Sequence, residues 1–172
     1  AISPDGRKLA FVATTSDGRD FLYLRSLDSL DARRLDGTDG ASYPFWSPDG
    51  RSIAFFNQGK LAKIDASGGS PNILCAAPNP RGGSWGSRGT IVFSINTGGE
   101  IHRVGENGGR SESLPHLTAK ADETNRWPSF LPDGQHFLYY VLAGDPKSSG
   151  TYLGALDSKE TTRLASADGG GL

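Results

Sequence analysis

The chain has 172 residues, a net charge of -1, 24 glycines, 10 prolines and 22% charged residues. The near-neutral charge excludes the basic footprint of a protein that binds nucleic acid or an anionic membrane surface. No apolar run approaches the roughly 20 residues that a membrane helix needs, and the single cysteine, Cys75, excludes an internal disulfide. High glycine and proline with moderate charge favour a folded all-β protein with many turns over a disordered chain.

A tight turn recurs four times along the chain, at residues 3–6, 47–50, 86–89 and 131–134. Three copies contain Pro-Asp-Gly, in which proline presets φ for the turn, aspartate suits the next position and glycine supplies a positive φ. The final glycines of the four turns are 44, 39 and 45 residues apart. That period is typical of propeller blades with four strands each.

Strand patterns flank each turn. An aromatic strand precedes the last three turns, at residues 45–46, 84–85 and 129–130, whereas the first copy keeps only residues 1–2 of it. The strand after each turn is apolar on both faces, which suits a sheet packed between two neighbouring sheets. The third strand carries an apolar pair three residues apart, such as Leu24 and Leu27 or Leu61 and Ile64, and this spacing predicts a bulge or twist between the two residues. A short fourth strand completes each copy.

These elements predict an all-β fold, a β-propeller of four-stranded antiparallel blades. About four blades are expected within a single propeller segment, 1–172, and the first blade lacks most of its inner strand. The repeats run roughly over residues 1–40, 41–79, 80–124 and 125–172. Because both ends stop part-way through a blade, we expect a partial propeller. Further repeats of a longer parent chain, or a second copy in a homo-oligomer, would complete it.

Residues 46–55, with the sequence WSPDGRSIAF, resemble the repeat of TolB-like, WD-type bacterial β-propellers. The third copy departs from the pattern, with Ser87-Arg88 in place of Pro-Asp. Such repeats occur in TolB, a periplasmic protein that binds protein partners, and in the substrate-gating propeller of prolyl oligopeptidase-type hydrolases. They also follow serine/threonine kinase domains in soil bacteria, the group that residues 61–69 and 127–134 resemble most. The resemblance implies a binding role and favours an extracytoplasmic location over a cytoplasmic one.

The sequence contains no catalytic set, so we expect no enzyme activity, cofactor or metal site in this chain. Residues 82–86 match the GxSxG nucleophile motif, but Ser84 is predicted on a strand with no helix after it. The kinase signature loops are absent. The remaining candidates are histidines spread along the chain, which do not form a metal site, and aspartates that have a structural role in turns. They are His102, His116, His136, Asp5, Asp49 and Asp133.

The connections that lead into the aromatic strands are the best candidates for binding, because in propellers they rim one end of the central channel. They carry Tyr43, Arg81, Asn125, Arg126 and Trp127, with Asn79 beside them. Arg81 and Arg126 are the strongest candidates, since a charged residue there has no core role to explain it.

We therefore expect a non-catalytic module that binds a protein or small ligand at this rim, as the sensor or regulatory part of a larger bacterial protein. Two alternatives remain open. One is the substrate-gating propeller of a prolyl oligopeptidase-type hydrolase, and the other is a structural element that assembles with itself.

Overall fold

The computed structural model describes residues 1–95, 99–117, 120 and 122–166. This part of the chain forms β-strands and one 3₁₀ helix, Pro115–Leu117, which confirms the all-β prediction. The strands are β1 Lys8–Thr14, β2 Asp20–Ser26, β3 Ala32–Arg34, β4 Ser42–Trp46, β5 Ser52–Asn57, β6 Lys60–Asp65, β7 Asn72–Ala76, β8 Pro80–Trp85, β9 Thr90–Ile95, β10 Ile101–Gly105, β11 Glu112–Ser113, β12 Glu123–Phe130, β13 His136–Ala143, β14 Gly150–Ala155 and β15 Thr162–Ala165.

The strands form four antiparallel sheets in which each strand pairs with the next one along the chain. Sheet 1 contains β1 to β3, sheet 2 contains β4 to β7, sheet 3 contains β8 to β11 and sheet 4 contains β12 to β15. Sheet 1 has only an isolated bridge between Ile2 and Leu9 where the other sheets have a first strand. This arrangement confirms the predicted four-stranded antiparallel blade and the incomplete first copy.

The chain divides into two compact units. Unit 1 contains Ala1–Pro78 with Asn107–Gly109 and holds sheets 1 and 2. Unit 2 contains Asn79–Glu106 with Arg110–Leu172 and holds sheets 3 and 4. The boundary at residue 78 falls between the second and third repeats.

The core of unit 1 lies between the facing sides of sheets 1 and 2. Ala10 and Leu22 of sheet 1 are fully buried against Ile53 and Phe55 of sheet 2. Trp46 joins the same cluster, and its indole nitrogen donates a hydrogen bond to the Ala1 carbonyl, with 3.1 Å between nitrogen and oxygen. Burial of each large side chain is worth about 1.5–3 kcal/mol relative to exposure, so the apolar β5 strand anchors this unit.

The core of unit 2 is built in the same way from sheets 3 and 4. Val92 and Ile101 of sheet 3 pack with Phe137, Tyr139 and Val141 of sheet 4. Burial raises the pKa of the Tyr139 phenol to about 12. Because Phe137, Tyr139 and Val141 are alternate residues of β13, one face of this strand lies on the core. Leu138 and Tyr140 lie on the other face of sheet 4.

The repeated turn is held by a serine and an aspartate. The Ser47 hydroxyl donates to Asp49 Oδ1, with 2.6 Å between the oxygens, and accepts the backbone N–H of Ser52 at 2.9 Å. Ser3 and Asp5 make the same contact. The hydrogen bond from Ser47 lowers the pKa of the Asp49 carboxyl. These aspartates have the turn role that their sequence pattern predicts.

In sheet 2 the predicted irregularity falls between Leu61 and Ile64, but the bulge lies on the fourth strand and not on the third. In sheet 2, β6 pairs with β5 without interruption, and the extra residue is Leu74 on β7, between the pairs Leu61–Cys75 and Ala62–Ile73. The third strand is paired on both sides and stays regular, whereas the fourth lies at a sheet edge, where an extra residue disturbs fewer hydrogen bonds.

The predicted pair of Leu24 and Leu27 is also out of register. β2 ends at Ser26, and Leu27 lies beyond it with 46% of its surface exposed. Pairing of Val12 with Leu22 puts Leu22 at the position that Leu61 occupies opposite Phe56 in sheet 2. The connection between β1 and β2 is longer than the connection between β5 and β6. This difference shifts the register of β2 relative to the one that the sequence pattern predicts.

Candidate functional site

The first strand of sheets 2, 3 and 4 is interrupted by a β-bulge at nearly the same place. The residues without a regular partner are Tyr43 and Pro44 in β4, Arg81 and Gly82 in β8, and Trp127 and Pro128 in β12. Proline has no N–H to give to a ladder, so sheets accept it at a bulge. Bulges also re-aim side chains away from the regular alternation. Most of the predicted binding residues therefore lie where the strand is distorted.

The bulges share an unusual backbone conformation. Tyr43 has φ +47°, Trp127 has φ +49° and Gly82 has φ +96°. Each lies three residues before the strand aromatic of its repeat. A left-handed φ is rare for a bulky aromatic residue and costs about 1–3 kcal/mol. Its recurrence in both units indicates that the surrounding sheet imposes it.

In unit 2 the first strands of sheets 3 and 4, β8 and β12, contact each other at their bulges. The Ser84 hydroxyl on β8 accepts the backbone N–H of Phe130 on β12, with 3.0 Å between oxygen and nitrogen. A Cβ atom on Gly82 would lie 3.0 Å from Trp127 Cδ1 and 3.2 Å from Trp127 Cα. Glycine is required at position 82 both for its positive φ and for this close approach.

An aromatic pair stands at this contact. The Trp127 side chain is 50% exposed. Its ring centroid is 5.9 Å from that of Tyr140, with 39° between the ring planes. Tyr140 lies on β13 directly opposite Arg126. The sequence did not single out Tyr140, because it stands in an apolar strand whose aromatic residues all look like core residues.

Two arginines directly precede the residues that meet at this contact, Arg81 before Gly82 on β8 and Arg126 before Trp127 on β12. Arg81 Nη1 donates to the carbonyl of Pro80 at 2.9 Å, and Arg126 Nε donates to Thr124 Oγ1 at 3.1 Å. Both side chains are half-buried. Within the described residues, neither guanidinium lies within 4.0 Å of a carboxylate. A guanidinium has five N–H donors, so each retains hydrogen-bonding capacity.

We call the set of Arg81, Arg126, Trp127 and Tyr140 the Arg–Trp surface. It belongs to unit 2 alone and combines two cations with an exposed indole. Such a surface can hold an anionic group by charge-assisted hydrogen bonds and an apolar group by stacking.

Two predicted rim residues lie elsewhere. Asn125 is buried, with 3% of its surface exposed, and its side-chain amide donates to the Leu117 carbonyl. It pairs with Val141 and shares the core face of sheet 4, so we drop it from the contact set. Tyr43 lies in unit 1, where it is 41% exposed and stands edge-on to Phe56.

The other chemical candidates have structural partners. The Ser84 hydroxyl accepts a hydrogen bond from the backbone N–H of Phe130. His102 contacts Glu100 at 3.1 Å and stacks on Phe93, and His136 contacts Asp133 at 2.6 Å. The side chain of His116 lies outside the described part of the chain.

Within that described part, no group of three or more His, Cys, Asp or Glu side chains could hold a metal ion. None of these described residues lies in a helix with the length and hydropathy to cross a membrane.

Comparison with known proteins gives short sequence matches and extended structural ones. No family model matches the chain. A stretch of 52 residues, 30% of the chain, is 48% identical to an uncharacterized peptidase, YuxL, of Bacillus subtilis. A stretch of 53 residues is 38% identical to the Tol-Pal system protein TolB of Alcanivorax borkumensis. The matches span only 8% and 12% of these relatives' lengths.

Solved structures match nearly the whole chain. A TolB-type structure from Agrobacterium tumefaciens aligns with 94% of this chain at 20% identity, with a TM-score of 0.79, and TolB from Acinetobacter baumannii aligns with 92% at 19% identity, with a TM-score of 0.72. The chain covers 62% and 41% of those proteins. A prolyl endopeptidase structure aligns with 94% at 17% identity, with a TM-score of 0.63 and 28% of that chain covered. The fold is that of a partial TolB-like β-propeller.

Proposed function

We propose that the chain is a non-catalytic β-propeller module that binds a protein or small ligand through the Arg–Trp surface of unit 2. The observation that carries this proposal is that, among the described residues, neither Arg81 nor Arg126 has a carboxylate partner, while the strands that carry them meet at the half-exposed Trp127. Structural pairing explains the other charged candidates, whereas it leaves Arg81 and Arg126 with spare donors.

The composition of the surface supports a binding role. Tryptophan, tyrosine and arginine are the residues that most often dominate the energy of protein interfaces. Trp127 is held by the bulge backbone and by contact with Tyr140, so little side-chain freedom remains to be lost on binding. A pre-organised aromatic side chain beside free donors favours recognition over a purely structural role.

The test is to select peptide ligands for the folded chain and to measure their affinities by calorimetry. We expect Arg81→Ala, Arg126→Ala and Trp127→Ala each to weaken binding by about tenfold or more, which is about 1.4 kcal/mol or more. Arg110→Ala is the matched control, since Arg110 is exposed and precedes β11, at the sheet edge opposite β8. If all selected ligands bind the three variants normally, the assignment of the surface is wrong.

The wider context follows from the fold. We propose that the module is the sensor or regulatory part of a larger bacterial protein, in the manner of propellers that follow serine/threonine kinase domains. Its TolB-like fold supports an extracytoplasmic location. Sequencing the parent gene tests this: an upstream kinase domain with an intervening membrane segment agrees with the proposal.

A second candidate is the substrate-gating propeller of a peptidase. It is favoured by the 48% identity of a 52-residue stretch to the peptidase YuxL. In that case the parent gene encodes a Ser-Asp-His hydrolase domain downstream. Deletion of the propeller segment from the parent protein would then change the lengths of the peptides that the hydrolase cleaves.

Self-association is a third candidate, supported by the face of sheet 1 that points away from the unit 1 core. Phe11 and Tyr23 stack there with 5.8 Å between ring centroids, and both are only half-buried. A second copy would bury this pair. Solution mass by light scattering decides the matter, because a strict monomer at high concentration argues against it.

A further inference from the structure

We infer that the Arg–Trp surface recognises the free C-terminal carboxylate of a protein partner whose last side chain is apolar. This inference rests on the proposed binding function and names the chemistry of the ligand.

The two arginines occupy equivalent places in neighbouring repeats. Arg81 stands four residues before Trp85, and Arg126 stands four residues before Phe130. The contact of Gly82 with Trp127 sets their two strands side by side at this level. Arg81 and Arg126 therefore each come one residue before this contact, on neighbouring strands of unit 2. In sheet 2 the equivalent residue is Ser42, so the paired charge is a property of unit 2.

A carboxylate matches this arrangement. The planar fork of a guanidinium binds a carboxylate through parallel charge-assisted hydrogen bonds, and two arginines can share its two oxygens. A phosphate monoester carries close to two charges and three acceptor oxygens, and its sites usually add backbone N–H groups or lysine. The Arg–Trp surface contains neither lysine nor a helix N-terminus, which favours the single charge of a carboxylate.

The position of the indole favours a chain end over an internal acidic residue. Arg126 and Trp127 are adjacent, so the bound anion and the bound apolar group must lie within about one residue of each other. At a C-terminus the carboxylate and the last side chain share one Cα atom. In an extended internal segment, an acidic side chain and its neighbour point to opposite faces. Capture of a terminal carboxylate is an established mode of peptide recognition.

The experiment compares two probe peptides, acetyl-Ala-Ala-Ala-Phe as the free acid and the same peptide as the C-terminal amide. Binding is followed by NMR through the Trp127 indole N–H resonance, assigned with Trp127→Phe. We expect the free acid to bind at least tenfold more tightly than the amide. Arg81→Gln and Arg126→Gln should each reduce that ratio, and the double variant should abolish it. Arg110→Gln removes one charge elsewhere in unit 2 and should leave the ratio unchanged.

Three results would overturn the inference. Equal affinity for acid and amide shows that the terminal charge is not recognised. A preference that survives in the double variant places recognition elsewhere. Inorganic phosphate that competes as well as the free acid at constant ionic strength shows a general anion site. None of these results removes the proposed binding function, which depends on whether selected ligands require the surface at all.

Discussion

The bulged inner strands of the two units have the same backbone and different side chains. In unit 1 the bulge presents Tyr43 with Ser42 before it, whereas in unit 2 the bulged strands carry Trp127 with Arg126 before it on β12 and Arg81 on β8. The left-handed conformation recurs in all three strands, at Tyr43, Gly82 and Trp127. The bulge is thus a feature of the fold, and the chemistry depends on the side chains placed on it.

Changing Gly82 to alanine should give the largest effect, because it breaks the contact that distinguishes unit 2. The new Cβ atom would meet Trp127 Cα at 3.2 Å in a backbone with φ +96°. We expect a loss of about 3 kcal/mol in the free energy of unfolding, measured by urea denaturation.

Gly6→Ala is the matched control for that substitution. Gly6 has φ +70° and nothing within 4 Å of its Cβ position. It should therefore lose only the cost of the left-handed conformation, about 1–2 kcal/mol. Equal losses in the two variants would show that the approach of β8 to Trp127 is not tight.

The second prediction contrasts the exposed aromatics of the two bulges. For a peptide that binds the Arg–Trp surface, Trp127→Ala should weaken affinity by about 2 kcal/mol, because an indole that stacks on the ligand is lost. Tyr43→Ala removes an exposed ring of similar burial from unit 1 and should leave affinity within about twofold. Calorimetric titration of both variants checks this, and equal losses would place the ligand on unit 1 as well.

The sequence predicted the blades because turn chemistry is local. Pro-Asp-Gly fixes the hairpins, and the spacing of those hairpins fixes the number of strands between them. It did not predict the bulges of the first strands, although a signal was present: Tyr43 and Trp127 both precede proline in a strand, where proline is tolerated only at an edge or a bulge.

The candidate site was predicted less completely than the fold. Arg81, Arg126 and Trp127 were predicted from the sequence as binding residues of the connections, the arginines because a charge there has no core role, whereas the structure places all three within strands. Asn125 was misplaced and Tyr140 was missed, because the face on which a residue lies depends on strand register around a bulge, and a shift of one residue exchanges the faces.

A third prediction extends the contrast to the turns. In unit 1 the Ser47 hydroxyl, which is almost fully buried, bonds both Asp49 and the Ser52 backbone, whereas the fourth turn has Leu131 at that position. Ser47→Ala leaves the Ser52 N–H without this acceptor and should lower the free energy of unfolding by about 1 kcal/mol. Ser16→Ala, an exposed control in the same unit, should change it by less than about 0.5 kcal/mol. Hydrogen exchange at Ser52 reports the same change locally.

The smallest effect is expected at the fourth turn, where aspartate acts without serine. Hydrogen bonds from the backbone N–H groups of Gln135 and His136, and from the His136 ring, lower the pKa of the Asp133 carboxyl to about 2. Because the folded pKa lies below the ordinary value of 3.8, the ionised carboxylate stabilises the fold above that value. The contribution is lost as the pH falls towards about 2.

Asp133→Asn should therefore have a lower free energy of unfolding than the parent chain at pH 5. This difference should shrink as the pH falls to 2.5. Exposed Asp28→Asn serves as the control for removal of a charge. NMR titration of the Asp133 carboxyl carbon gives a direct check, since a midpoint near 4 would show that the backbone donors of this turn do not hold the carboxylate. That outcome would leave the turns of unit 1, whose aspartates also accept a serine hydroxyl, as the better-stabilised version of the motif.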